Sequence, residues 1–228
     1  MEKWVVANWK MSGSKNLLDE YKKTFQNPKK LIVCPPSVYL NETTEFILGA
    51  QNIYHHPKGA YTGEISALML NDIGIKYCIV GHSERRQYFE ETNDMVLAKA
   101  EVCLKSSITP IICVGETFEQ YQAGKTIEIL SQQLRECLPN EGNFWVAYEP
   151  VWAIGTGCTP TTTEISTAHT FLREKLPEIT LLYGGSVNES NAGAIFAIAN
   201  VDGALVGGAS LDIDKIHLIY QIAMTIKN

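Results

Sequence analysis

Glu149 closes an apolar run, Phe144-Trp145-Val146-Ala147-Tyr148, and opens the stretch Pro150-Val151-Trp152-Ala153-Ile154-Gly155-Thr156-Gly157. A carboxylate at the end of a buried strand is a candidate general base. Pro150 fixes the start of the following loop, and Gly155 and Gly157 free its far end. That is the composition of a lid able to fold over the base. His82, in Val80-Gly81-His82-Ser83-Glu84-Arg85-Arg86, stands between a second apolar run and a helix start, with Ser83 the expected N-cap. The positive pole of a helix disfavours added positive charge, so the expected imidazole is neutral and donates a hydrogen bond to a carbonyl oxygen. Lys10 follows Asn8 at the end of the first run, and strand alternation points both to one face. A cation there can hold a phosphate or stabilise a developing oxyanion. Gly184-Gly185-Ser186 and Gly207-Gly208 follow the last two runs. Without a Cβ, their N–H groups can approach an anion closely. Singly, each residue also reads plainly, as a solvated glutamate, a capping histidine, an exposed lysine or turn glycines. Their shared position, just past the ends of apolar runs, is what sets them apart.

Something must hold these rims together. The apolar, β-branched runs predict strands at Trp4–Asn8, Leu31–Cys34, Phe46–Gln51, Cys78–Gly81, Thr109–Val114, Phe144–Tyr148, Thr180–Tyr183 and Gly203–Val206. Apolar spacing of three and four residues predicts helices at Ser14–Phe25, Asn93–Lys105, Phe118–Cys137, Glu164–Leu176, Glu189–Ala199 and Asp212–Ile226. Thr161 and Glu164 have the form of a capping box, and Asn188 and Asn191 flank another start. Strands that are apolar throughout, rather than alternating, belong to a parallel sheet covered on both faces. Eight strand–helix units over residues 1–228 without a composition break predict one (β/α)₈ barrel domain, with the unusual residues on the rim where such barrels build active sites. An open doubly wound sheet is the other arrangement. It places a glycine-rich fingerprint after its first strand, where this chain has Asn8-Trp9-Lys10.

Composition narrows the classes. The 228 residues are 45% hydrophobic and carry a formal net charge of −6, with mean hydropathy −0.05. No apolar stretch approaches the length of a membrane span, and no basic cluster suggests nucleic acid. The N-terminus turns polar too soon for a secretory signal, so a cytoplasmic location is expected. The six cysteines are far apart without a CxxC pair, pointing to free thiols and no zinc site. His55-His56 lacks acidic or cysteine partners nearby and reads as a solvated or interface pair rather than a metal site.

Ala7-Asn8-Trp9-Lys10, the His82-Ser83-Glu84-Arg85-Arg86 run, Cys113-Val114-Gly115-Glu116, the stretch from Ala147 to Gly157, Tyr183-Gly184-Gly185-Ser186-Val187 and Gly207-Gly208-Ala209-Ser210-Leu211 occur in this order. With them, nearly the whole chain resembles the triosephosphate isomerase family, a standard example of lid closure and of a neutral histidine electrophile. The resemblance implies interconversion of a three-carbon aldose phosphate and its ketose without cofactor or metal. It implies Glu149 as the proton shuttle, His82 as electrophile, Lys10 for electrostatic stabilisation, Asn8 for orientation and Glu84 in support. The N–H groups of Gly155, Ser186, Gly207 and Gly208 would hold the phosphate. It further implies a homodimer, in which the segment from Gln51 through Thr62 to Glu64 reaches toward the partner's site.

This chain departs from the family pattern at two places. Cys158-Thr159-Pro160 stands where the family has Lys-Thr-Ala, whose alanine N–H donates a lid-latching hydrogen bond to the hydroxyl of the tyrosine matching Tyr183. Pro160 has no N–H, so that latch is expected to be missing and the hinge stiffer. Cys158, beside the lid, reads either as a candidate site for thiol reagents or as an inert surface thiol, since no adjacent cation lowers its pKa. The segment between Cys34 and Phe46 leaves room for a turn or two of helix at most. Another phosphosugar isomerase or aldolase on the same barrel, or a non-catalytic descendant, would not need Asn8, Lys10, His82 and Glu149 together.

Overall fold

The structure is a computed structural model and describes residues 2–42, 44–154 and 159–226. In chain order it runs β1 (Trp4–Asn8), α1 (Lys15–Thr24), β2 (Leu31–Cys34), β3 (Ile47–Ala50), α2 (Ala67–Asp72), β4 (Tyr77–Val80), α3 (Ser83–Tyr88) and α4 (Asn93–Lys105). It continues β5 (Thr109–Val114), α5 (Phe118–Gln122), α6 (Thr126–Cys137), β6 (Trp145–Tyr148), α7 (Thr162–Lys175), β7 (Thr180–Tyr183), α8 (Ala192–Phe196), β8 (Gly203–Val206) and α9 (Ile213–Thr225). The eight strands pair in sequence order, all parallel, and β1 pairs β8 to close the barrel.

Two apolar layers explain why the strands read as unbroken hydrophobic runs. Val6, Ile32, Ile79, Ile111, Ala147, Leu182 and Leu205 fill the inside of the barrel. Their alternating neighbours, including Val5, Ala7, Val33, Val80, Ile112, Val146 and Leu181, pack outward against the helices. A strand buried on both faces has no polar side to show. Trp4, Tyr77 and Trp145 plug one end, with ring centroids 4.8 to 6.4 Å apart. At the other end the inward parity of Val6 and Ala147 continues to Asn8 and Glu149, which carries polar groups into the mouth.

Most of the described helix starts are fixed by side-chain caps, those of α6 and α8 excepted. The Thr161–Glu164 capping box forms as expected, and a second, Thr117–Gln120, opens α5. Several elements differ from the sequence expectation. The stretch predicted as one helix over 118–137 is two, because the chain turns at Gly124 with φ +70°. The expected Glu189–Ala199 helix is only Ala192–Phe196. Asn188 Oδ1 accepts from the N–H groups of Ser190 and Asn191, so the chain forms an Asx turn before the helix. Between β2 and β3 the described residues form a three-residue 3₁₀ turn, Ser37–Tyr39, leaving Ile47 of the barrel wall partly exposed. The short helix α2 carries too few turns to show a period and was not expected, whereas a helix start at the head of α3 was.

Candidate active site

A cavity of about 650 Å³ opens at the C-terminal ends of the strands. Asn8, Lys10, His82, Glu149, Ser186, Gly207 and Gly208, all named from sequence, line it. Gly155, Thr156, Gly157 and Cys158 lie outside the described residues. The described part of the predicted lid contains Pro150, then a 3₁₀ turn at Val151–Ala153, then Ile154 on the cavity wall.

Glu149 is buried, and its two carboxylate oxygens are separately held. Oε1 lies 3.0 Å from His82 Nε2, and Oε2 accepts the backbone N–H of Ser83 at 2.8 Å. Gly184 packs against the side chain, since a Cβ there would stand 2.8 Å from Glu149 Cγ. Gly115 lets the strands approach closely, because a Cβ would fall 1.7 Å from the Glu149 carbonyl oxygen.

His82, not Ser83, is the N-cap of α3, a correction to the sequence reading. Gly81 at φ +68° breaks the strand alternation and swings the next residue over the cavity. The ring then caps its own helix: Nδ1 accepts the N–H of Glu84 at 3.2 Å. An accepting Nδ1 carries no proton, so the neutral ring carries its proton on Nε2, pointing at Glu149.

Lys10 and Asn8 meet in the cavity for a reason strand alternation alone does not give. The strand ends at Asn8, and Lys10 is in the left-handed region at φ +54°. Such a conformation costs energy for a residue with a Cβ and persists only where neighbours hold it. Asn8 Oδ1 accepts the Lys10 N–H at 3.0 Å, and Gln51 Nε2 donates to the Lys10 and Cys34 carbonyls at 2.9 and 2.7 Å. Gln51, read from sequence as a dimer contact, thus braces the Lys10 turn within its own chain. Lys10 Nζ donates to Glu84 Oε1 at 2.5 Å, and a Cβ on Gly207 would stand 3.6 Å from the same ammonium.

Supporting groups surround this set, and among them the sequence reading gave no role to Glu116, Glu91 or Lys215. Glu116, at the end of β5, is fully buried and accepts from Trp152 Nε1 at 2.9 Å and Tyr148 Oη at 3.1 Å. Burial raises its pKa, and the Trp152 and Tyr148 hydrogen bonds only partly offset that. Trp152 also stacks on Tyr121 at 4.1 Å, so the start of the lid is clamped from two sides. Ser186 Oγ donates to the Ala153 carbonyl at 2.6 Å, joining the loop after β7 to the lid. Tyr183 Oη is buried with no hydrogen-bond partner among the described residues and lies against Gly185. Behind α3, Glu91 Oε1 accepts from both Lys99 and Arg85. Burial pushes the Glu91 carboxyl up, but the bonds and charges of Lys99 and Arg85 more than offset it and hold it below its usual value. Glu116 follows the same rim rule as Glu149 and was legible on that ground. Lys215 of α9 also lines the cavity, and nothing in its local sequence marks it.

Comparison with known proteins agrees with this geometry. The family model for triosephosphate isomerase matches residues 3–223. The triosephosphate isomerase of Shewanella amazonensis is 40% identical, over 97% of this chain and 97% of its own. That of Rhizobium etli is 41% identical over 95% and 94%. The crystal structure of triosephosphate isomerase from Bartonella henselae superposes with a TM-score of 0.88 at 32% identity, covering 97% of this chain and 99% of that one. The chain belongs to the triosephosphate isomerase family.

Proposed function

We propose that this protein interconverts D-glyceraldehyde 3-phosphate and dihydroxyacetone phosphate, with one barrel domain supplying all the chemistry. The observation that carries the reading is the pair of Glu149 Oε1 and His82 Nε2, 3.0 Å apart at the cavity floor, with the imidazole proton fixed on Nε2. Both line one cavity, so a substrate held there meets a base and a hydrogen-bond donor side by side.

The steps follow from these positions. N–H groups of Ser186, Gly207 and Gly208 grip the phosphate, and Asn8 orients the carbon chain. Glu149 removes the proton from the carbon next to the carbonyl. His82 Nε2–H donates to the carbonyl oxygen as it gains charge, and Lys10 stabilises the resulting enediolate. Glu149 then returns the proton to the neighbouring carbon, so aldose becomes ketose. Glu84 holds Lys10 at the site and supplies the N–H that fixes the His82 tautomer. The lid from Pro150 to Gly157 keeps water from the enediolate. Side chains and backbone N–H groups supply every step, and no metal or organic cofactor enters the scheme.

A coupled assay on wild type, Glu149→Gln and His82→Leu tests this. Loss of the base is expected to lower kcat by about 10²–10⁴-fold, and loss of the donor by about 10²–10³-fold. A wild type inert toward both triose phosphates, or a fully active Glu149→Gln, refutes the reading.

The working form we propose is a cytoplasmic homodimer. Among the described residues no helix is long and apolar enough to cross a membrane. Met11 is 98% exposed beside the site, and Tyr61, Tyr88 and Phe89 are also exposed. A cleft lined by Ser37, Gln51, Gly63, Glu64, Arg85 and Phe89 is where a second copy's loop bearing Thr62 would dock on this reading. Large exposed apolar groups of this kind mark interaction surfaces. Sedimentation should give a dimer mass, and Met11→Glu should shift it toward monomer.

A further inference from the structure

Phosphate binding in this site has two parts, a set of backbone donors and compensation for about two negative charges. The backbone donors are in place at Gly207 and Gly208, where a Cβ on Gly208 would meet nothing within 4 Å. Charge compensation is less well provided. The whole chain carries −6, and the cavity walls include the carboxylates of Glu149 and Glu189. Lys10 is committed to Glu84 at 2.5 Å. Among the described residues, the remaining cavity-lining cation is Lys215.

Lys215 sits in the first turn of α9, directly after the loop that carries Gly207 and Gly208. Asp212 caps that helix by accepting the N–H groups of Asp214 and Lys215 at 3.1 and 3.2 Å. Its other oxygen lies 3.8 Å from Lys215 Nζ, with both side chains about half exposed. A pair that long and that wet contributes little. The ammonium can therefore exchange Asp212 for a better anion at small cost. A phosphate on the Gly207–Gly208 amides is such an anion.

Resting on the triose phosphate reading, we infer that Lys215 is a substrate-binding residue that supplies positive charge to the phosphate dianion at the cavity rim. It acts on the part of the substrate that does not react. Its contribution therefore appears in binding and capture, not in the proton transfer. A half-exposed cation at the mouth of an acidic protein also draws the dianion in, an effect that weakens as salt rises.

The test compares wild type, Lys215→Met and Lys215→Arg with glyceraldehyde 3-phosphate, with unphosphorylated glyceraldehyde, and with inorganic phosphate as competitive inhibitor. Lys215→Met is expected to raise KM for the phosphorylated substrate and Ki for phosphate about tenfold, a charged hydrogen bond's worth. Expected with this are an unchanged kcat, unchanged kcat/KM on glyceraldehyde, and recovery in Lys215→Arg. The tenfold gap should narrow in 0.5 M salt. Constants within twofold of wild type overturn the inference, as does an equal loss on both substrates, which marks a structural defect. A wild type without isomerase activity counts against the proposed function instead, and phosphate binding measured by calorimetry then still decides on Lys215.

Discussion

Adding one methyl group at Gly184 should disable the base without touching it chemically. The Cβ introduced by Gly184→Ala would stand 2.8 Å from Glu149 Cγ and 3.3 Å from the Tyr148 carbonyl oxygen. Ordinary contact begins at 3.4 Å, so the glutamate side chain must move by about 0.6 Å, since the carbonyl belongs to a paired strand. The carboxylate has little slack, because His82 Nε2 and the Ser83 N–H hold it at 3.0 and 2.8 Å. A displacement approaching 1 Å costs on the order of 10²-fold when reacting groups must align. Gly184→Ala is therefore expected to lower kcat by about 10- to 100-fold with little change in KM. Overpacking costs about 1–3 kcal/mol, which lowers Tm by several degrees, roughly 2–4 °C per kcal/mol in a chain of this size. The assay is steady-state kinetics beside a thermal melt. A variant that turns over within threefold of wild type would show that the site tolerates a shifted base, and the reasoning would fail.

Three further outcomes follow from buried groups. His169 is fully buried, and burial lowers its pKa to about 4 from 6.5; the unfolded chain therefore takes up the proton first, and stability present above pH 6.5 is lost as pH falls toward 4. Between pH 7 and 5 the wild type should lose about 2 kcal/mol more than His169→Gln in urea titrations, and equal losses would refute this. Lys99→Met leaves Glu91 buried with one cation in place of two and should destabilise by about 3–5 kcal/mol; a melt within 2 °C of wild type would show the pair to be dispensable. Tyr183→Phe removes a buried hydroxyl that lacks a partner among the described residues, in a chain where Pro160 offers no N–H for it, so turnover should stay within about twofold; a loss equivalent to 1 kcal/mol or more would point to a latch after all.

The sequence alone determined the barrel's strands and which residues stand at its mouth. Both are written in short-range pattern. Strands buried on both faces must be apolar throughout, and the rim residues stand out because they interrupt that pattern at Asn8, His82, Glu149, Gly184 and Gly207. Helix boundaries were legible only where a side chain marks them, as at Thr161. The short pieces α2, α3 and α8 lie below the length at which periodicity speaks. Only the tertiary structure decided how the reacting groups are oriented. His82 caps its own helix because Gly81 turns the chain there, and that capping bond sets which nitrogen keeps the proton. Lys10 occupies a left-handed conformation that Asn8 and Gln51 hold through bonds spanning up to 41 residues. Lys215 entered the cavity in the same way, since its neighbours in sequence describe an ordinary first turn of helix. Orientation of this kind depends on contacts between segments far apart in the chain, and no local pattern of residue types encodes those distances.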